Sequence, residues 1–145
     1  MAAVRTAEAV WEHDLAKGSG HVKGTSGGLP DTAVSWAART EASGGKTSPE
    51  ELLAAAHASC FSMALSAGLS RGGNPPDRLN VRASVTFDKV GDAWKVTKSE
   101  LTVHGKVPGL SADKFAAAAK AASEGCPISG AIRNNVAVSV TASLE

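Results

Sequence analysis

The sequence is poor in cysteine: Cys60 and Cys126 are the two in 145 residues. A chain of this size with two cysteines is not a disulfide-stapled mini-domain. Neither lies in a Cys-x-x-Cys pair, and no second Cys or His pair stands at zinc-ligand spacing, so no metal site is expected. Charge of one sign is also missing as a block. The net charge is +1 and the basic residues are scattered, with no run of five or more. Neither a nucleic acid nor an anionic membrane is therefore an expected partner. No stretch reads as long and apolar enough to span a bilayer. The opening Met1-Ala2-Ala3-Val4-Arg5-Thr6 lacks the apolar core of a signal peptide. No internal repeat or low-complexity tract stands out. These absences place the chain in a reducing cytoplasm, where two cysteines are either inert packing residues or a redox pair.

What is present suits one domain over residues 1–145: 43% of residues are hydrophobic and 20% charged. The first forty residues read as strands. Val4 to Trp11 alternates roughly with period two, and Ala33-Val34-Ser35-Trp36-Ala37-Ala38-Arg39 reads as a third short strand. Between them, Gly18-Ser19-Gly20-His21-Val22-Lys23-Gly24 has the glycine content of a phosphate cradle but not its strand-to-helix context, so a hairpin is expected.

Thr47-Ser48-Pro49-Glu50-Glu51 is a helix start: a hydroxyl residue, proline at the first helical position, and Glu51 at capping-box spacing from Ser48. Leu52 to Leu69 follows, apolar almost all round, which fits a helix covered on most sides. A small domain has difficulty surrounding such a helix, and its small residues allow close approach. A partner chain is therefore inferred to cover part of it. Leu79 to Phe87 alternates cleanly, Trp94 to Val107 reads as one long strand or two, and Ser111 caps a second helix from Ala112 to about Ser123. Cys126-Pro127 opens a short helix to about Arg133, and Val136, Val138 and Val140 mark a last strand. The order gives an α+β fold with a largely antiparallel sheet.

Cys60 falls in the middle of the apolar helix. Taken alone it reads as a packing residue, since burial in apolar surroundings raises a thiol pKa. A reactive Cys60 needs a cation close by. Cys126 precedes Pro127 at a helix start, where it is equally well an activated thiolate or a substitute for the usual Ser or Asp cap. Arg39 is a candidate cation or a solvated strand end. Glu50 and Glu51 are candidate carboxylates to fix its guanidinium, or simply favourable charges at a helix N-terminus. Glu51 already has the capping role, so Glu50 is the freer. Glu50 and Cys60 stand ten residues apart, roughly 15 Å along a straight helix, and cannot touch directly. His57, one turn before Cys60, invites a Cys–His hydrolase reading, but no Asn or Asp can be set behind it, and a core or interface histidine is preferred.

Thr47 to Ser66, containing His57-Ala58-Ser59-Cys60-Phe61-Ser62-Met63, closely resembles the central-helix signature of the OsmC/Ohr family (osmotically inducible protein C and organic hydroperoxide resistance proteins). Gly125-Cys126-Pro127-Ile128-Ser129 resembles its second cysteine motif. The likeness extends to Ala9-Val10-Trp11-Glu12 and to Pro108-Gly109, and the place of Arg39 before Glu50 resembles the OsmC branch. The resemblance implies an intertwined homodimer, with mostly antiparallel sheets wrapped around two central helices and active sites at the dimer interface. It implies a peroxidase of organic hydroperoxides with Cys60 as the peroxidatic thiol, Cys126 as the resolving one, Arg39 as the activating cation and Glu50 as the carboxylate holding it. It implies a lipoyl-type dithiol as reductant and no cofactor.

Overall fold

A computed structural model describes residues 1–145. Its contacts divide the chain into two compact units, Met1–Leu52 and Leu53–Glu145.

In the first unit, β1 (Ala7–Glu12), β2 (Ser19–Gly24) and β3 (Thr32–Val34) form an antiparallel sheet in that order. The glycine-rich stretch is a hairpin strand, as its context required. Gly18 closes the β1–β2 turn because a Cβ there would stand 2.2 Å from the Asp14 carbonyl oxygen. The expected strand over Ala33–Arg39 is shorter than its alternation suggested. β3 ends at Val34, and Trp36–Thr40 is a one-turn helix, α1. The deciding residue is Ser35, whose hydroxyl accepts from the Ala38 N–H at 3.2 Å as an N-cap. Helix-favouring Ala37, Ala38 and Arg39 then follow it.

The next helix, α2, runs Pro49–Arg71. Half of the expected capping box forms: the Glu51 N–H donates to the Ser48 hydroxyl at 3.1 Å. The Glu51 carboxylate does not return to Ser48. It accepts the Thr47 hydroxyl at 2.6 Å, and buried Thr47 is itself tied by its N–H to the Ala33 carbonyl at 3.0 Å.

In the second unit, β4 (Arg78–Val90) and β5 (Ala93–Lys106) form a long antiparallel hairpin, turning at Gly91 with φ of 63°. The last strand, β6 (Ala137–Leu144), pairs in parallel with β5, which requires the crossover supplied by α3 (Ala112–Gly125) and α4 (Pro127–Ile132). The fold is α+β, and its sheets are mostly antiparallel with this one parallel pairing. Phe115 of α3 lies fully buried over Gly105 of β5, where a Cβ would come within 2.4 Å of its ring. Around it pack Phe61, Leu65 and Leu69 from α2, Leu101 and Val103 from β5, and Ala119 and Ala122 from α3.

One expectation needs correction. With 23 residues and a mean hydropathy of 1.5 over its most apolar window, α2 is long and apolar enough to cross a bilayer by length and composition. Its many alanines and serines hide that in a reading by eye, because each is small although their sum is apolar. Within the second unit, His57, Phe61, Leu65 and Leu69 recur every fourth residue and are buried, so this face is part of a protein core.

Candidate active site

Four side chains were expected to carry chemistry, and they fall into two pairs. Arg39 and Glu50 belong to the first unit, Cys60 and Cys126 to the second.

Ser35 and α1 aim Arg39. Its Nε donates to Glu50 Oε2 at 3.1 Å and its Nη2 to Glu50 Oε1 at 2.7 Å, a bidentate fork. The guanidinium also lies 5.6 Å from the centre of the Trp36 ring. Glu50 is buried, and the Arg39 side chain keeps 27% of its exposure, so the fork fixes the arginine's orientation. Glu50 rather than Glu51 takes this role, because Glu51 is occupied by Thr47.

Cys60 is half-buried on α2, and Cys126 is 1% exposed at the junction of α3 and α4. Both are free thiols within hydrogen-bonding reach of each other. Burial pushes the Cys60 pKa up; Cys126 adds to the rise, and the Ile128 N–H opposes it. Cys126 goes the other way. Burial would raise it, but the Ser129 N–H, the Cys60 thiol, the Ser129 hydroxyl and the Ile128 N–H together bring it below the usual thiol value. Cys126 makes no strict capping hydrogen bond, yet these donors surround its sulfur closely enough to favour the thiolate. In this arrangement Cys126 accepts and Cys60 donates. Cys60 can act as a nucleophile only when a cation reverses that order.

Cys60 opens on a cleft of about 570 Å³ lined by Met63, Ala64, Ala67 and Gly68 of α2 and by Ala118 and Ala122 of α3. The lining is apolar except for Arg71 at the end of α2. Such a cleft suits an alkyl group better than a small polar molecule.

His57 is fully buried with both ring nitrogens taken: Nδ1 lies 2.7 Å from Ser99 Oγ and Nε2 lies 2.8 Å from Ser129 Oγ. Burial holds its pKa below the usual value. The ring therefore has no nitrogen to offer Cys60, which removes the Cys–His hydrolase reading. Ser99, Ser129 and Arg71 were not found from the sequence. Arg71 stands eleven residues after Cys60, a helical repeat that signals a shared face. Nothing marks Ser99, and Ser129 is marked only as a member of the second cysteine motif; they lie 42 and 72 residues from their partner.

Comparison with known proteins identifies the family of this fold. Residues 42–141 match the family model described as OsmC-like protein. Peroxiredoxin OsmC of Escherichia coli strain K12 is 39% identical over 129 residues, covering 89% of this chain and 90% of that protein. The organic hydroperoxide resistance protein OhrB of Bacillus subtilis is similar in structure, with a TM-score of 0.75 and 28% identity over 95% of this chain and 98% of that one. An organic hydroperoxide resistance protein OsmC from Legionella pneumophila gives a TM-score of 0.73 at 27% identity, over 98% of this chain and 99% of that one.

Proposed function

The chain belongs to the OsmC family, and from that premise we propose that it is a cysteine-based peroxidase that reduces organic hydroperoxides, working as a single domain in a cytoplasmic homodimer. The observation that carries this reading is the thiol pair: Cys60, half-open on an apolar cleft, touches a buried Cys126, and neither is locked in a disulfide. The names of the relatives, a peroxiredoxin and hydroperoxide resistance proteins, support the same activity.

In the reaction, the Cys60 thiolate attacks the distal peroxide oxygen. The O–O bond breaks, the alkoxide takes a proton and leaves as the alcohol, and Cys60 becomes a sulfenic acid. Cys126 then attacks the Cys60 sulfur, the S–S bond forms, and the hydroxyl leaves as water. A dithiol of lipoyl type reopens the disulfide by exchange and is itself oxidised. Arg39 supplies the positive charge that the raised pKa of Cys60 demands, and Glu50 keeps the guanidinium in place. No cofactor enters the sequence of steps.

The accessible face of α2 supports the homodimer. Its buried stripe is matched by an accessible one, Ala55, Ala56, Ser59, Met63 and Ala67, that carries no charge. Met63 keeps 67% of its exposure. A second copy laying its own α2 there would cover both stripes.

The test is consumption of cumene hydroperoxide and of H2O2 by the purified protein with dihydrolipoate, for the parent and for Cys60→Ser. Rapid loss of the organic peroxide, abolished in the variant, is expected. Absence of turnover in folded protein with free thiols overturns the proposal.

A further inference from the structure

The mechanism above makes no use of His57, although it is the largest buried polar side chain in the second unit. Its surroundings form a continuous chain. Ser99 of β5 meets Nδ1 at 2.7 Å, Nε2 meets Ser129 of α4 at 2.8 Å, and Ser129 stands on the first turn of α4, three residues after its N-cap Cys126. Ser99 and His57 are 0% exposed and Ser129 is 1% exposed, so no water competes for these bonds. No buried side-chain N or O lacks a partner.

Resting on the peroxidase reading, we propose that Ser99–His57–Ser129 is a positioning chain that aims the Ser129 hydroxyl proton at Cys126 and holds that sulfur as the thiolate that resolves the Cys60 sulfenic acid.

The direction of each bond follows from counting protons. A hydroxyl has one hydrogen. If Ser129 spends it on Cys126, its oxygen must accept, and the only ring partner is the Nε2–H of His57. The neutral ring then has a bare Nδ1, which accepts from the Ser99 hydroxyl. One tautomer of a neutral imidazole thus fixes every bond in the chain, and burial of His57 favours the neutral form. In the resolving step the Cys126 thiolate attacks the Cys60 sulfur, the S–S bond forms and the S–O bond breaks. The departing hydroxide takes up the proton that Cys126 released to solvent on ionising, giving water. The titratable group facing Cys126 from α2 is Cys60. From α4, Arg133 turns its guanidinium to the carbonyl oxygens of Ser123 and Glu124.

Two measurements test the chain. The first needs no peroxide: ultraviolet thiolate absorbance of Cys126 against pH in full-length Cys60→Ser protein, alone and combined with Ser129→Ala or Ser99→Ala. Ser129→Ala is expected to raise the midpoint by about one pH unit, the size expected for loss of a hydrogen bond to a charged group, and Ser99→Ala by less in the same direction. Imidazole nitrogen NMR of the parent should show the Nε2–H tautomer. A purely structural role would lower stability and leave the midpoint where it was. An unmoved midpoint in folded Ser129→Ala protein, or an Nδ1–H ring in the parent, overturns the proposal. If Ser129→Ala fails to fold, the distant Ser99→Ala variant carries the same test. The second measurement is mass spectrometry after excess cumene hydroperoxide, where Ser129→Ala should accumulate several-fold more Cys60 sulfinic acid relative to disulfide. A parent that consumes no hydroperoxide removes the peroxidase reading, while the titration still reports on the chain.

Discussion

Two helices of the second unit, α2 and α3, solve the same problem differently. Both are rich in alanine, and each packs one stripe inward: His57, Phe61, Leu65 and Leu69 from α2, and Phe115, Ala119, Ala122 and Ser123 from α3. The outer face of α3 carries Asp113, Lys114, Lys120 and Glu124, so water is an adequate neighbour. The outer stripe of α2 is alanine, serine and methionine. Such a face is seldom left uncovered in water. The amphipathic helix is complete within its own chain, and the uniformly apolar one offers the face on which the proposed second copy would lie. The proposed peroxidatic thiol lies on the uniformly apolar helix, and Cys126 lies at the end of the amphipathic one.

The inner face of α3 is where the largest loss is expected. Phe115→Ala would empty the space over Gly105 and destabilise the fold by about 3–5 kcal/mol, read from denaturant unfolding. A loss below about 1 kcal/mol would mean that α3 does not anchor this core.

The outer faces give a direct contrast. Met63→Glu on α2 should convert a dimer to a monomer in analytical ultracentrifugation. Ala117→Glu on α3 should leave both mass and stability unchanged within about 0.5 kcal/mol. Equal behaviour of the two variants would remove the argument for a partner on α2.

Arg39→Ala separates the pairs more gently. If Arg39 activates the Cys60 thiolate as proposed, loss of that charge-assisted interaction, worth about 1.5–3 kcal/mol, predicts roughly ten- to hundredfold slower reaction with cumene hydroperoxide at neutral pH. Arg71→Ala, in the cleft but without a carboxylate fork, should slow it less. Reversal of that order would make Arg71 the activating cation.

How much of this was legible beforehand depended on sequence distance. Ser111, the α2 start and the Cys126-Pro127 junction announce themselves within four residues, and all three stand where they were read. α1 was misread because Val34, Trp36 and Ala38 alternate like a strand, while the capping of Ala38 by Ser35 needs the backbone to show it. Glu51 had the spacing of a capping box but found Thr47 instead. The Arg39–Glu50 fork was guessed by elimination between two adjacent glutamates. The histidine partners Ser99 and Ser129 were not legible as such, although Ser129 falls in the second cysteine motif, since nothing local distinguishes a serine that meets a buried histidine from one that meets water. The apolar helix was read as one covered on most sides and not as matching a bilayer span, because hydropathy does not say which apolar neighbour is present.

The smallest expected effect concerns that buried histidine. The folded state keeps His57 neutral below its ordinary value of 6.5, whereas the unfolded chain protonates there. Its contribution is therefore fully present above about pH 6.5 and is lost as pH falls toward the depressed folded value, with a slope of at most about 1.4 kcal/mol per pH unit. His57→Gln should lower stability at neutral pH through the lost ring bonds, yet flatten the decline between pH 6.5 and the folded value. The two thiols shift in opposite directions from the ordinary thiol value. Cys60 contributes stability below its unfolded value that is lost as pH rises, and Cys126 contributes stability above its unfolded value that is lost as pH falls. An acid-side slope equally steep in parent and variant would mean that some other group, and not the buried ring of α2, sets the lower pH limit of the fold.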